Sequence, residues 1–317
     1  MLEARDGPDF TPLGTNWTHR FLERHHEELK TYWSHPLDHF RARAVNPITK
    51  EAYFDIVEKA IAGDGTPQDL IPPELMYGAD ETGLQQGVGM SEHVIAGSGK
   101  SVQHQQRSGN RENITVLCTI CADGSSLPPA VIFKGQGYQV KWEQNNPLNA
   151  SIGYSKKGYV DGEIGVSWIE IFDKATREKA NQRRRLLLVD GHVSHYTGGF
   201  LCYARTHDIV VVCYPSHSTH AYQGLDVVIF AVLKQRWTEI CDDYERRTGQ
   251  PVRKEIFLSL YGQAHVKAFT RENITSAFRA TGIVPFNRDI ISSTKMAPSL
   301  EHSSANELPL TLPTPVK

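Results

Sequence analysis

The spacing of apolar residues changes character several times along the chain, and each change predicts a different element. Residues 16–33, NWTHRFLERHHEELKTYW, place Trp17, Phe21, Leu29 and Trp33 at multiples of four, with Asn16 available as an N-cap, so the stretch reads as an amphipathic helix. Pro36 halts it, and a second helical run over 50–62 puts Tyr53, Ile56, Val57 and Ile61 on one side before Gly63, Asp64 and Gly65 break the chain. From residue 74 the pattern shortens to strands. Leu75, Met76 and Tyr77 run into Asp80, which places that aspartate at a strand's end. Residues 113–121 alternate, Asp123 and Gly124 supply a turn, and 130–133 follow as the second arm of a hairpin. Ser167 and Glu170 have capping-box spacing for a helix to about Ala180, with Trp168, Ile171, Phe172 and Ala175 as its apolar side.

Residues 186–189 form an uninterrupted apolar run, the pattern of a strand buried on both faces, and the run delivers Asp190. A short helix over 200–205 and an apolar strand over 209–214 precede the loop PSHSTHAYQG, which ends at Leu225 and Asp226. Phe230, Leu233, Trp237, Ile240 and Tyr244 then recur at three and four, so Asp226 opens a long helix. A last helix over 271–280 stops before Gly282 and Pro285. Beyond Ser292 the chain is rich in Ser, Pro and Thr and is expected to be disordered. Antiparallel strands, then a helix, then strands alternating with helices predict a mixed α/β sheet.

Composition narrows the function classes. A chain of 317 residues can build one large core, or one large and one small. No stretch approaches the roughly 20 apolar residues of a membrane span, so no membrane partner is expected. The N-terminus lacks the apolar core of a signal peptide, and the five cysteines are expected to be thiols in a reducing compartment. Net charge is only −2, so any grip on nucleic acid must be local. Candidate patches are Arg107 with Arg111, Lys156 with Lys157, Arg183 to Arg185, and Arg246 with Arg247; each alone is ordinarily a solvated face.

The chemistry lies in the carboxylates. Phosphodiester cleavage needs hard divalent ions, which favour carboxylate oxygens. Two ions roughly 4 Å apart can serve the attacking and leaving oxygens if a shared carboxylate holds them. Acids at two neighbouring strand ends and at a helix start could meet at one sheet edge, and Asp80, Asp190 and Asp226 occupy those places. Taken singly, each is an ordinary turn or cap residue; the three are judged together. Glu81, next to Asp80, faces the other way along the strand and is set aside as a salt-bridge partner.

The segments ADETG at 79–83, LLLVDGHVSH at 186–195 and YPSHSTHAYQGLDVVIF at 214–230 resemble the pogo/Tigger-like transposases, the centromere-protein-B-related family of DDE endonucleases. TGIVPFN at 281–287 resembles the block that closes their catalytic domain, and GTNWTHRFLERHHEELKTYW is similar to the final helix of the helix-turn-helix module that precedes it. The resemblance implies a ribonuclease-H-like mixed sheet flanked by helices over 74–290. It also implies a helical remnant of the DNA-binding region over 1–45, a helical linker over 46–73 and a disordered tail over 291–317. It further implies two Mg²⁺ (or Mn²⁺) ions on Asp80, Asp190 and Asp226, and strand cleavage and transfer on DNA at transposon ends. A nuclear location and, as an open option, a second copy of the chain as partner complete that reading. His192, His195, His217 and His220 are candidate contacts to substrate phosphate. Two positions depart from the family: Gly224 stands where many relatives carry proline, and Gly78-Ala79 replaces the more usual residues before the first acid. Met1 falls within what resembles the end of the DNA-binding region, so a truncated transposase is one expectation.

Two other readings compete. One is a domesticated DNA-binding or scaffolding protein that keeps the fold without catalysis. The other is a zinc-binding interaction protein using Cys118-x-x-Cys121, His192-x-x-His195 or His217-x-x-His220. Against zinc, a separation of three in a strand sends Cys118 and Cys121 to opposite faces.

Overall fold

The computed structural model describes residues 16–28, 30, 39–87, 112–191, 197–293 and 296. The chain divides into two compact units, Met1–Asp38 and His39–Lys317. In the first, helix α1 (Trp17–Arg24) is shorter than the apolar spacing predicts, and the Asn16 side chain does not cap it. The chain turns at His25, whose N–H closes on the Phe21 carbonyl, while His26 Nδ1 takes the Glu23 carbonyl at 3.0 Å. Trp17 stacks on Phe21 with ring centroids 4.9 Å apart, so the i,i+4 pairing holds locally. Leu29 and Trp33 lie outside the described residues.

The second unit opens with α2 (His39–Ala44) and α3 (Pro47–Ala62). Helix α3 starts three residues before the run at 50–62 because Asn46 and Thr49 cap it reciprocally, with Pro47 at the first position. Tyr53, Phe54, Val57 and Ala60 form its buried side, and Ile56 points to solvent.

Strands β1 (Met76–Gln85), β2 (Asn113–Cys121), β3 (Ala130–Lys134), β4 (Ser151–Ser155), β5 (Arg185–Val189) and β6 (Ile209–Cys213) form one sheet in the order β4-β3-β2-β1-β5-β6. The pairs β1–β2 and β2–β3 are antiparallel; β3–β4, β1–β5 and β5–β6 are parallel. The hairpin expected over 113–133 therefore exists, as does the strand buried on both faces, since every residue of β5 is buried. Period-two alternation sorts the strands into two cores. Tyr77, Ala79, Leu117, Cys121, Leu187 and Val189 pack under α4 (Gly162–Ala180) and α5 (Gly198–Thr206). Met76, Cys118, Ile120, Leu186 and Leu188 pack on the other face, with α3, α7 (Phe230–Thr248), α8 (Lys254–Ala268) and α9 (Arg271–Ala280).

Two further expectations are corrected. Helix α4 begins at Gly162, where the Asp161 carboxylate accepts the Ile164 N–H at 3.0 Å, so Ser167 and Glu170 are interior residues and not a cap. Its buried side is Trp168, Ile169, Phe172 and Thr176, while Ile171 and Ala175 are exposed. Strand β4 and helix α8 carried no usable sequence signal. Strand β4 has Gly153 at its centre, and α8 mixes its buried run with exposed Gln263, Val266 and Lys267.

Candidate active site

The parallel ladder between β1 and β5 ends at the pair Gly78 and Leu188. Asp80 stands two residues beyond Gly78 in β1, and Asp190 follows the last residue of β5, so both acids lie just past the end of this parallel ladder. Strand β1 is also where the order reverses, with antiparallel β2 on one side and parallel β5 on the other, the usual place for a site in an open α/β sheet. Asp80 is not at a strand's end, because β1 continues to Gln85 as an antiparallel partner of β2; it is at the end of the parallel ladder.

Asp226 arrives from a separate element. The short helix α6 (Thr219–Tyr222) leads into a single π-helical turn, Leu225–Ile229, and only then into α7. Asp226 therefore sits in a π-turn and does not itself open the long helix. Such turns recur at functional sites, since the wider ladder redirects one side chain. Leu225 and Ile229 are buried as anchors, and Asp226 between them is exposed. Gly224 brings this turn against α9: a Cβ there would stand 2.9 Å from the Ala277 carbonyl oxygen.

Electrostatics tie the three acids together. Asp80 is buried, and its pKa is held well above the carboxylate range, first by burial and then by the charges of Asp226 and Asp190. The Glu81 N–H, which donates to Asp80 Oδ1 at 2.8 Å, opposes this, as does the nearby Gln223 amide, although neither polar atom of that amide makes a well-formed hydrogen bond. Tyr214, buried beside them, has its phenol pKa raised by burial, by Tyr53, and by all three aspartates. Tyr214 and Gln223 stand inside the motif at 214–230, but nothing in their residue types marked them beforehand.

Oxygen donors of this kind suit a hard divalent ion, and the clustering of negative charge around a buried carboxylate favours a cation. As the side chains stand, no three His, Cys, Asp or Glu among the described residues are drawn close enough to hold a metal. The backbone brings the acids to one place; their side chains have not closed into a shell.

The other candidates separate. His192 and His195 lie outside the described residues. His217 is exposed in a left-handed conformation, with φ at 60°, and stacks on Phe40 with centroids 5.5 Å apart. His220 keeps an exposed ring, yet the protein packed behind it and the Arg41 charge lower its pKa, against the His217 backbone and Asp226, which raise it. Cys118 and Cys121 do face opposite sides: Cys118 Sγ is 3.5 Å from the Tyr261 hydroxyl, and Cys121 Sγ is 3.2 Å from the Glu74 carbonyl. The arginine run at 183–185 is engaged internally, with Glu74, Asp69 and Asp173 respectively, so it is not a patch for nucleic acid. Arg247 is paired with Asp243, and Arg107 and Arg111 lie outside the described residues.

Residues 110–278, just over half of the chain, match the DDE superfamily endonuclease family. That stretch holds Asp190 and Asp226; Asp80 lies upstream of it and is placed by the β1 register. An MFS-type transporter clz9 of Cochliobolus lunatus is 33% identical over 250 residues, 76% of this chain and 27% of that protein. A pogo transposable element with ZNF domain of Homo sapiens is 26% identical over 240 residues, 72% of this chain and 15% of that protein. The chain thus spans less than a third of the length of these curated relatives. Among the described residues no helix is long and apolar enough to cross a membrane. A pre-cleavage Mos1 transpososome structure covers 83% of this chain and 70% of its own at 10% identity, with a TM-score of 0.47. The chain belongs to the DDE superfamily endonucleases, and its fold is a six-stranded mixed sheet flanked by helices.

Proposed function

We propose that the chain cleaves and joins DNA strands at transposon ends, with Asp80, Asp190 and Asp226 holding two Mg²⁺ or Mn²⁺ ions. The observation that carries this reading is that Asp80 and Asp190 lie just past the end of the β1–β5 parallel ladder, with the charges of Asp226 and Asp190 raising the Asp80 pKa. Bound divalent ions supply activation of the attacking oxygen and stabilisation of the leaving one. In this reading Asp80, which feels both other acids and accepts the Glu81 N–H, is the shared carboxylate. The charges of Asp190 and Asp226 both act on Asp80, and the three acids together would hold the ions. His217, His220, His192 and His195 contact substrate phosphate in this reading, with His220 feeling the Asp226 charge. Residues 1–45 are the end of a helix-turn-helix region that confers target choice, and the working location is the nucleus, with a second copy of the chain as an optional partner.

One rival reading is a domesticated protein that keeps the fold but not the reaction. Substitution separates them. Asp190→Asn should remove divalent-metal-dependent nicking of DNA while the fold persists, because an amide lacks the required anionic charge. Equal nicking by parent and variant at matched purity would assign the activity to a contaminant and leave the domesticated reading in place.

A further inference from the structure

The acids explain cleavage but not how a polyanion approaches three carboxylates. The approach is a cost, since like charges repel, and some nearby cation must offset it. On the side of Asp226 one element supplies cations. Helix α2 reads HFRARA and contains no acid. Arg41 and Arg43 are both exposed, and neither makes an ion pair with a described residue, unlike the arginines at 183–185. Phe40, 68% exposed, stacks on His217, which anchors α2 to the loop between β6 and the π-turn. Arg41 and Asp226 both act on the His220 ring, which sets α2 near the turn that bears Asp226.

We infer that α2 is a DNA-binding lip of the site: Arg41 and Arg43 grip phosphates of the strand leading to the acids, and the Phe40–His217 pair offers a ring face on which a neighbouring base stacks. The chemistry fits a nucleic-acid strand better than a lone anion. Two guanidinium forks beside an exposed aromatic match the alternation of phosphate and base. This deepens the reading given above, because it rests on the acids lying where a scissile phosphate must come, but it concerns binding and not cleavage.

The test measures binding of the 317-residue chain to one duplex with a frayed, unpaired end, in EDTA, as salt is raised. Each lost phosphate contact removes about 0.9 from the slope of log affinity against log salt. Arg41→Ala/Arg43→Ala should therefore lower the slope by about 2, shrinking the affinity loss between about 50 and 200 mM salt by roughly tenfold. Phe40→Ala should weaken the frayed duplex more than a blunt one, with the slope unchanged. The comparison variant is Lys174→Ala/Arg205→Ala, the same charge change on helices of the opposite sheet face, and it should keep the parental slope. An unchanged slope in the α2 variant, an equal fall in the comparison variant, or a parent that does not bind at about 50 mM salt overturns the inference. Thermal unfolding of each variant guards against misfolding. Because no metal is present, the outcome is independent of nicking: a chain with the expected slopes that never cuts DNA keeps the lip and loses the catalytic reading.

Discussion

Gly224 and Ala277 are in backbone contact, with no room between them for a methyl group: a Cβ on Gly224 would meet the Ala277 carbonyl oxygen at 2.9 Å and its carbonyl carbon and Cβ at 3.0 Å. The turn that carries Asp226 therefore rests on helix α9. Gly224 has φ −60° and ψ −33°, which any residue can adopt, so it is the contact and not the conformation that requires glycine. Gly224→Ala should cost about 1–3 kcal/mol through overpacking, and it should lower nicking further by shifting Asp226. Urea unfolding and a nicking assay on the same preparation check both. A variant of parental stability would show that α9 yields freely and that the contact sets nothing.

Gly78, the other departure from the family, is the opposite case. A Cβ there would find its nearest neighbours at 3.8 Å, Ile120 Cγ1 and the Tyr214 hydroxyl, which is ordinary contact. Gly78 lies in a strand, where glycine costs roughly 0.5–1 kcal/mol relative to alanine. Gly78→Ala should raise stability by about that amount without altering nicking, and a loss of stability would mean that the ladder at Leu188 cannot accept a side chain.

How much of this was legible beforehand follows from what each signal encodes. Periodicity found α9 to the residue and the apolar stripe of α7 nearly so, because one face of each meets the core and the other meets water. It failed for α8, and it put Ile171 and Ala175 on the buried side of α4, where both are exposed. The acids were legible because a short motif surrounds each. Their support was not: Tyr214, Gln223 and Arg41 reach the site through the fold, and the pairing of Arg183, Arg184 and Arg185 with distant acids turned an apparent basic patch into internal ion pairs.

Those ion pairs are unequal. Asp173 is fully buried and holds Arg185 Nη1 at 2.7 Å, while Tyr203 and Arg177 also donate to it. Asp173→Ala would leave the Arg185 guanidinium buried without its counterion, and breaking such a pair costs about 3–5 kcal/mol. Arg184→Ala removes a partly exposed pair with Asp69, together with weak contacts to the Ala60 and Asp69 carbonyls, and should cost less than the Asp173 change. Equal shifts in denaturant midpoint for the two would mean that solvent reaches Asp173.

Stability should also depend on His265. Burial pushes its pKa down to about 4, and its ring bridges the Tyr261 hydroxyl at 2.9 Å and Ser126 Oγ at 3.3 Å. The folded chain resists protonation that the unfolded chain accepts near pH 6.5, so this contribution is complete above pH 6.5 and is lost as pH falls toward 4. The loss amounts to roughly 3 kcal/mol at its limit. Denaturant midpoints between pH 7 and 4.5 should fall more steeply for the parent than for His265→Gln. Parallel curves would place the acid sensitivity elsewhere.

Asp80 offers a test of the acid cluster that needs no activity. Its carboxylate is penalised by burial and by the charges of Asp226 and Asp190, so its folded pKa lies above the unfolded one and its ionisation subtracts from stability as pH rises through that range. Asparagine keeps an oxygen for the Glu81 N–H at 2.8 Å but carries no charge. Asp80→Asn should therefore unfold at a higher temperature than the parent in EDTA at neutral pH, a gain bought with function, as is common where a site stores repulsion. Adding Mg²⁺ or Mn²⁺ should reverse the ranking. An ion that binds only the folded parent stabilises it by mass action, and the variant, lacking the shared carboxylate, should respond little. If the two proteins melted alike in EDTA, the acids would not repel one another and the cluster would dissolve into three surface residues. If they differed in EDTA but responded equally to the metal, Asp80 would belong to the cluster without being a ligand.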